Sequence, residues 1–338
     1  IYYPDLTDEL LRAVDKIKRP HRLYISTDTD EKKHQVIREL QNHGLTSQAV
    51  VKVISNIGRD FGSLILGFTE EIRRHDICLR IHSKKSTHNS AEFGERWRRY
   101  LIDELVGTEG RAQEIIGAFE ADPDLGLVMP HHWPSIANWV TIGDNHSQLS
   151  ALLQRVGLSI GPDDPIEFPS GAMFWFRSKA LAPLLDLNLA EDDFRPAKGE
   201  DRDATIAHAI ERGLVFFSCL AGCKWTKVPR LHGLEELDLP TVMHLVGESG
   251  LFDTDFYFSK YPDVKKARAN ALKHYCEAGY REDRDPSPLM DTKFYRRLTD
   301  IRDRNINPIV HYLLEGQPAG LPLKRPAVRP VTVHVEDL

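Results

Sequence analysis

From His21 onward the chain alternates short β-branched or aromatic runs with longer stretches of helical spacing, and this alternation is what most limits its fold. "HRLYISTD" (His21 to Asp28) reads as a strand. "EKKHQVIRELQNHG" follows, with Val36, Ile37 and Leu40 on one helical face before Gly44. "AVVKVISN" is a second strand, "FGSLILGFTEEIRRH" a second helix and "DICLRIHS" a third strand. Such alternation predicts a parallel sheet with helices on its faces. In sheets of that kind ligands bind beyond the carboxyl ends of the strands. Asp28, Asn56 to Asp60 and His82 to Ser86 all fall there, so three loops are expected on one rim.

Further along, "GERWRRYLIDELVG", "RAQEIIGAFEADPD" and "HSQLSALLQRVG" read as helices and "LGLVMP" as a short strand. "FPSGAMFWFRSKAL" combines a glycine turn, a strand from Ala172 to Phe176 and a helix entry. "GEDRDATIAHAIERG" opens a helix with carboxylates and is expected to stop at Gly213. After about Trp225 the pattern changes. Leu251 to Gly279 and Leu289 to Gly316 form an internal repeat, offset by 38 residues at its start and 37 at its end. The expected organisation is an α/β domain over residues 1–230, a small helical domain over 231–322 with the repeats 251–279 and 289–316, and a tail over 323–338.

At 338 residues the chain exceeds what one core usually serves, in keeping with two domains. A net charge of −6 with well-mixed signs excludes a general nucleic-acid or anionic-membrane binder. No run of about 18 apolar residues exists to cross a bilayer. The opening "IYYPDL" reads like the end of a strand cut open, as in an excised fragment. Cys78, Cys219, Cys223 and Cys276 are scattered, which suits reduced thiols in a cytoplasmic protein. No paired His or Cys spacing accompanies them to make a metal site.

Against this low net charge, "DICLRIHSKKSTH" ends an apolar strand in His82, Lys84, Lys85 and the hydroxyl of Ser86, groups that can hold a diphosphate without a metal. A solvated loop is the plainer reading of the charges alone. "SNIGRDFGS" places Gly58 where backbone can approach a ligand, with Asn56, Arg59 and Asp60 able to grip a sugar or base edge. Glu200, Asp201 and Asp203 cluster at a helix start, where one carboxylate can serve as general base and capping explains them equally well. The turn at Gly171, with Met173 and Trp175 after it, is either a core strand or a sugar platform. His131, His132 and Trp133 can bind metal or sugar, although a His pair without spaced partners is usually structural, and His208 can pack or serve the site.

"YYPDL", "LYIST", "SNIGRDFGSLI", "ICLRIHSKKS", "GERWRRYL", "GLVMP", "FPSGAMFWFRSKAL" and "DATIAHAIERG", in this order from Tyr2 to about Trp225, resemble the rhamnan synthesis protein F family of bacterial surface-polysaccharide glycosyltransferases. The resemblance implies an inverting hexosyltransferase that builds O-antigen, the polysaccharide of lipopolysaccharide, or a capsule or wall polymer. Its donor would be a nucleotide-sugar, dTDP-L-rhamnose, and its acceptor an oligosaccharide or lipid-linked glycan. It also implies a GT-A-like (Rossmann-type), mostly parallel sheet, a cytoplasmic location near the inner face of the membrane, and company with other synthase domains but not with nucleic acid.

"ISNIGRDFG" stands in the place of the GT-A donor loop, and "EDRD" is similar to the acidic base motif. Where those enzymes carry Asp-x-Asp, this chain has His82-Ser83-Lys84, which implies a reaction without divalent metal or other cofactor. The family block D-G-T-x-A-H-A matches Asp203 to Ala209, with Ala204 for glycine, and favours Asp203 as base; the broader acidic motif favours Asp201. Glu200, His208, Trp133, Gly171, Met173 and Trp175 would shape the sugar or acceptor side. The rival function is a non-catalytic carbohydrate-binding or scaffolding module. The repeats resemble short "FD-x-x-Y-Y … YPDV … NPLxHY … G" units appended to bacterial polysaccharide glycosyltransferases.

Overall fold

The computed structural model describes residues 1–85, 90–194, 205–229, 234, 237–317 and 319–325, with residues 109, 137 and 138 described by backbone alone. The chain divides into two compact units: Ile1–Trp133 with Val140–Leu231, and Pro134–Trp139 with His232–Leu338.

The first unit runs α1 (Thr7–Val14), β1 (Leu23–Thr27), α2 (Asp30–Asn42), β2 (Ala49–Val53), α3 (Arg59–Arg73), β3 (Ile77–Arg80), α4 (Ala91–Val106), α5 (Glu109–Ala121) and β4 (Leu125–Met129). It continues with α6 (His146–Gln154), β5 (Phe174–Arg177), α7 (Ala182–Leu185), α8 (Ile206–Leu220) and β6 (Lys224–Lys227). Local chemistry fixes several starts. Thr29, Ser90 and Thr108 each cap a helix by accepting a backbone N–H three residues on.

β1 and β2 pair in parallel as a two-stranded sheet, while the other four strands are ordered β3-β5-β4-β6. The expectation of a mostly parallel sheet fails in this second sheet. β5 runs antiparallel to both neighbours, and only β4 and β6 are parallel. The alternation rule assumes a return crossover before every strand. β5 instead follows α6 through a long irregular segment and enters from the opposite end.

Side chains alternate across this mixed sheet. Leu127, Phe174 and Phe176 pack with α3, α6 and α8 on one face. Val128 and Trp175 pack with α1, α4 and α5 on the other. The unit is therefore a helix–sheet–helix sandwich, and the sheet carries the loops at its ends.

α8 does not stop at Gly213, as the sequence suggests, but continues to Leu220. Gly213 is an approach point: a Cβ there would come 3.0 Å from the Phe217 ring and 3.5 Å from Leu149 of α6. The second unit contains α9 (Leu239–Glu248), α10 (Thr254–Lys260), α11 (Pro262–Lys266), α12 (Ala271–His274), α13 (Thr292–Leu298) and α14 (Pro308–His311) around a core of its own. All four cysteines are free, and Cys219 is exposed. Among the described residues no helix is long and apolar enough to cross a membrane.

Candidate functional site

β2 ends at Val53, and the chain turns through Asn56 and Gly58 into α3. Gly58 is left-handed (φ 77°), and a side chain there would overlap the Phe194 ring. Arg59, which follows, is also left-handed (φ 47°), a conformation that costs a non-glycine residue of order 1–3 kcal/mol. A second strained pair lies before β5, where Gly171 (φ 90°) is followed by Ala172 (φ 56°).

Arg80, the buried last residue of β3, joins these two turns. Its guanidinium donates to the carbonyls of Asp60 and Ala172 and lies over the Phe61 ring, 4.7 Å from its centroid. His82 makes a second link: Nε2 is 2.9 Å from the Gly171 carbonyl and Nδ1 is 3.3 Å from the Asp60 carboxylate. Glu211 of α8 makes a third, its carboxylate accepting the Gly171 N–H at 2.8 Å. The loop after β2, the end of β3 and the turn before β5 are thus one bonded assembly.

Its electrostatics follow from crowding. Burial opposes charge on Asp60, yet His82, Arg80, Lys84 and His208 outweigh it and hold the carboxyl down at about 2. Burial also drives the His82 imidazole down to about 4, with Arg80 and Lys84 adding to the effect and Asp60 opposing it. Glu211 is raised, first by burial and further by Asp60, with Arg212 and Lys84 pulling the other way. At neutral pH Asp60 therefore stands as a carboxylate and the His82 imidazole is uncharged.

Of the expected site residues, Asn56, Arg59, Asp60 and His82 border one end of a cavity of about 700 Å3. Arg59 also reaches His208, whose Nε2 accepts from the guanidinium at 3.4 Å while Nδ1 bonds the Thr205 hydroxyl at 2.9 Å. Lys84 sits over the Trp97 ring, 3.9 Å from its centroid. Lys85 turns instead to Asp5 at 2.6 Å. Trp97 stacks on Trp133 at 6.3 Å and 17°, so Trp133 supports the lysine's platform.

Met173 is fully buried, and Trp175 is nearly so, with its indole N–H donating to the Leu105 carbonyl at 3.3 Å. Met173 is a core side chain rather than part of a sugar platform, whereas Trp175 packs in the core and also lines the cavity. His132 bonds the Ser170 hydroxyl at 2.8 Å and the Glu167 carboxylate, a local network beside the turn. Ser86, Glu200, Asp201 and Asp203 lie outside the described residues.

Among the described residues the one trio able to hold a metal is Asp8, Glu39 and His43 on and beside α1 and α2, and Asp8 already takes bonds from Arg12 and His43. Arg80 and Glu211 were not singled out from sequence. An arginine inside the apolar run "ICLRIHS" was a usable signal, since a buried arginine must have partners. Glu211 carried none, because an acid on a helix is ordinarily solvated.

Residues 1–222 match the family described as rhamnan synthesis protein F, and the chain belongs to that family. Membership ties it to polysaccharide synthesis. Two curated relatives, both uncharacterized proteins WxcX of Xanthomonas campestris pv. campestris from different strains, are 36% identical over 239 residues, which is 69% of this chain. The chain spans about a third (32%) of the length of these relatives. No solved structure matches it.

Proposed function

We propose that the first unit is an inverting glycosyltransferase that moves a deoxysugar, L-rhamnose from dTDP-L-rhamnose, onto a growing bacterial surface polysaccharide without a divalent metal. Family membership supplies the polysaccharide setting. The observation that supports the chemistry is the rim itself, where the loops after β2 and β3 and the turn before β5 converge and are tied by Arg80, His82 and Glu211.

In this reading the diphosphate lies against Lys84 and Arg59, whose charges offset what develops on the leaving oxygen as the anomeric C–O bond breaks. Lys85 adds a more distant charge. Asp203 or Asp201 takes the proton of the acceptor hydroxyl as that oxygen attacks the opposite face of the anomeric carbon. Asn56 and the charged Asp60 face donor hydroxyls, since a carboxylate repels the diphosphate. His82 and Glu211 act as positioning residues that hold the Gly171 turn.

Calorimetric titration with dTDP, UDP and GDP in EDTA tests the reading, alongside the Lys84→Ala, Lys85→Ala double variant. Metal-free binding of dTDP that the double variant loses is the expected result. A transfer rate that requires manganese would overturn the metal-free part. If the folded chain binds no nucleotide, the carbohydrate-binding or scaffolding function takes its place.

A further inference from the structure

A cavity of about 380 Å3 lies within the second unit, inside the range of about 300–1,000 Å3 common for small-molecule sites. Its lining has two chemistries. Leu237 and, from α9, Leu239 and Val242 are half-buried and give it an apolar side. Tyr280 and Asn307 line it as buried residues, and Glu277, Arg281 and Asn305, all exposed, complete it.

The polar groups are held in one arrangement. The Tyr280 hydroxyl accepts from Arg281 Nε at 3.0 Å and donates to Asn305 Oδ1 at 2.8 Å, and Arg281 donates to the same oxygen. Glu277 and Arg281 supply one acidic and one basic side chain, so neither sign is in excess. That balance suits a neutral ligand better than a phosphate or a carboxylate.

Asn307 points to the ligand independently. Its Oδ1 accepts from the Ile309 and Val310 N–H groups and caps α14, while its Nδ2 is buried without a hydrogen-bond partner. Capping explains the oxygen alone. The equivalent residue of the first repeat, Asn270, caps α12 in the same way but is exposed, so solvent can serve its nitrogen. In the second repeat α9 packs against α14, and the amide is withdrawn from water. A buried donor left unpaired is costly, and a ligand oxygen entering the cavity would satisfy it.

A pyranose meets both chemistries, with hydroxyls for the amide, phenol and guanidinium groups and a C–H face for the apolar side. A 6-deoxyhexose fits better still, because its methyl can lie on Leu237, Leu239 and Val242 where a hydroxymethyl would bury an unpaired hydroxyl.

We propose that this cavity binds one 6-deoxyhexose residue of a polysaccharide chain, as a sugar site of the second unit in addition to the transferase site. A sugar oxygen accepts from Asn307 Nδ2, and the outer hydroxyls bond Asn305, Arg281 and Glu277. That the deoxyhexose is L-rhamnose rests on the function proposed above.

The test is saturation-transfer difference NMR of the full chain with an L-rhamnose trisaccharide, on the parent, Asn307→Ser and Val242→Phe. Serine keeps a capping oxygen and removes the amide nitrogen, and phenylalanine fills the apolar side. The strongest saturation is expected on the rhamnose methyl protons, and each variant that keeps the parent's melting temperature should bind at least about fivefold more weakly. No binding by the parent, or undiminished binding by either folded variant, overturns the site. Equal binding of a glucose trisaccharide overturns its deoxyhexose preference. Titration of the same chains with dTDP tells the two functions apart. Absence of the sugar signal with nucleotide binding intact strikes this site alone, and absence of nucleotide binding with the sugar signal intact strikes the transferase function alone.

Discussion

Arg80 carries more of the site than any residue with an expected chemical role. Replacing it with Met leaves the Asp60 and Ala172 carbonyls without their donor, at about 1–3 kcal/mol for each acceptor left unsatisfied. Urea unfolding of Arg80→Met should show that loss, and Arg80→Lys should recover less than half, since an ammonium cannot span two carbonyls as a planar fork does. His82 gives a pH signature. Its folded value near 4 lies below the ordinary 6.5, so between these values the unfolded chain binds the extra proton and stability falls as pH falls. Asp60, held at about 2 against an ordinary 3.8, adds a second loss below that range, while the raised Glu211 works in the opposite direction. Denaturation of His82→Asn from pH 7 to 4 should therefore show a flatter pH dependence than the parent chain. The rim positions of Asn56, Arg59, Asp60 and His82 were legible because strand ends can be read from periodicity. That His82 is a bonded link rather than a free cation was not, because burial of its ring depends on Gly171, distant in sequence and adjacent only in the fold.

At the level of elements, the helical repeat was the most legible feature, and the structure gives it a mechanism. In the first copy the Tyr257 hydroxyl bonds His274 Nδ1 at 3.0 Å, and in the second Tyr295 bonds His311 Nδ1 at 3.0 Å. Each copy then passes through a short π-helical turn, Tyr275–Gly279 and Tyr312–Gly316. A Cβ at Gly279 would overlap the Tyr257 hydroxyl, and one at Gly316 the Tyr295 hydroxyl. Gly279→Ala and Gly316→Ala should each destabilise the second unit by about 1–3 kcal/mol, the cost of overpacking a buried side chain. Differential scanning calorimetry checks this, and near-equal losses are expected because the two contacts are equivalent. Asp253 and Asp291 cap the matching helices in the same way, which is why a 38-residue spacing was visible in the letters alone. The direction of β5 was invisible by contrast. "AMFWFR" has the same apolar run whichever way it is threaded, and direction is set by the segment that delivers it.

Across the whole molecule, the division at about residue 231 has one exception that a linear reading misses. Pro134–Trp139 belongs to the second unit, where the Ser135 carbonyl faces His244 Nε2 of α9 at 3.2 Å and Ile136 is buried. A chain cut after residue 231 should therefore stay folded on the two core layers of the first unit but self-associate through the uncovered Ile136. Sedimentation of the cut chain should show association, and Ile136→Ser in the same chain should reverse it. The bond from Arg80 to both turns has a consequence for how this chain can vary. Because one guanidinium holds the loop after β2 and the turn before β5, mutations in the two are epistatic, and a change accepted in one is tolerated or rejected according to the other. Selection libraries that randomise residues 56–60 and 170–172 together should yield folded variants that two separate libraries, later combined, do not.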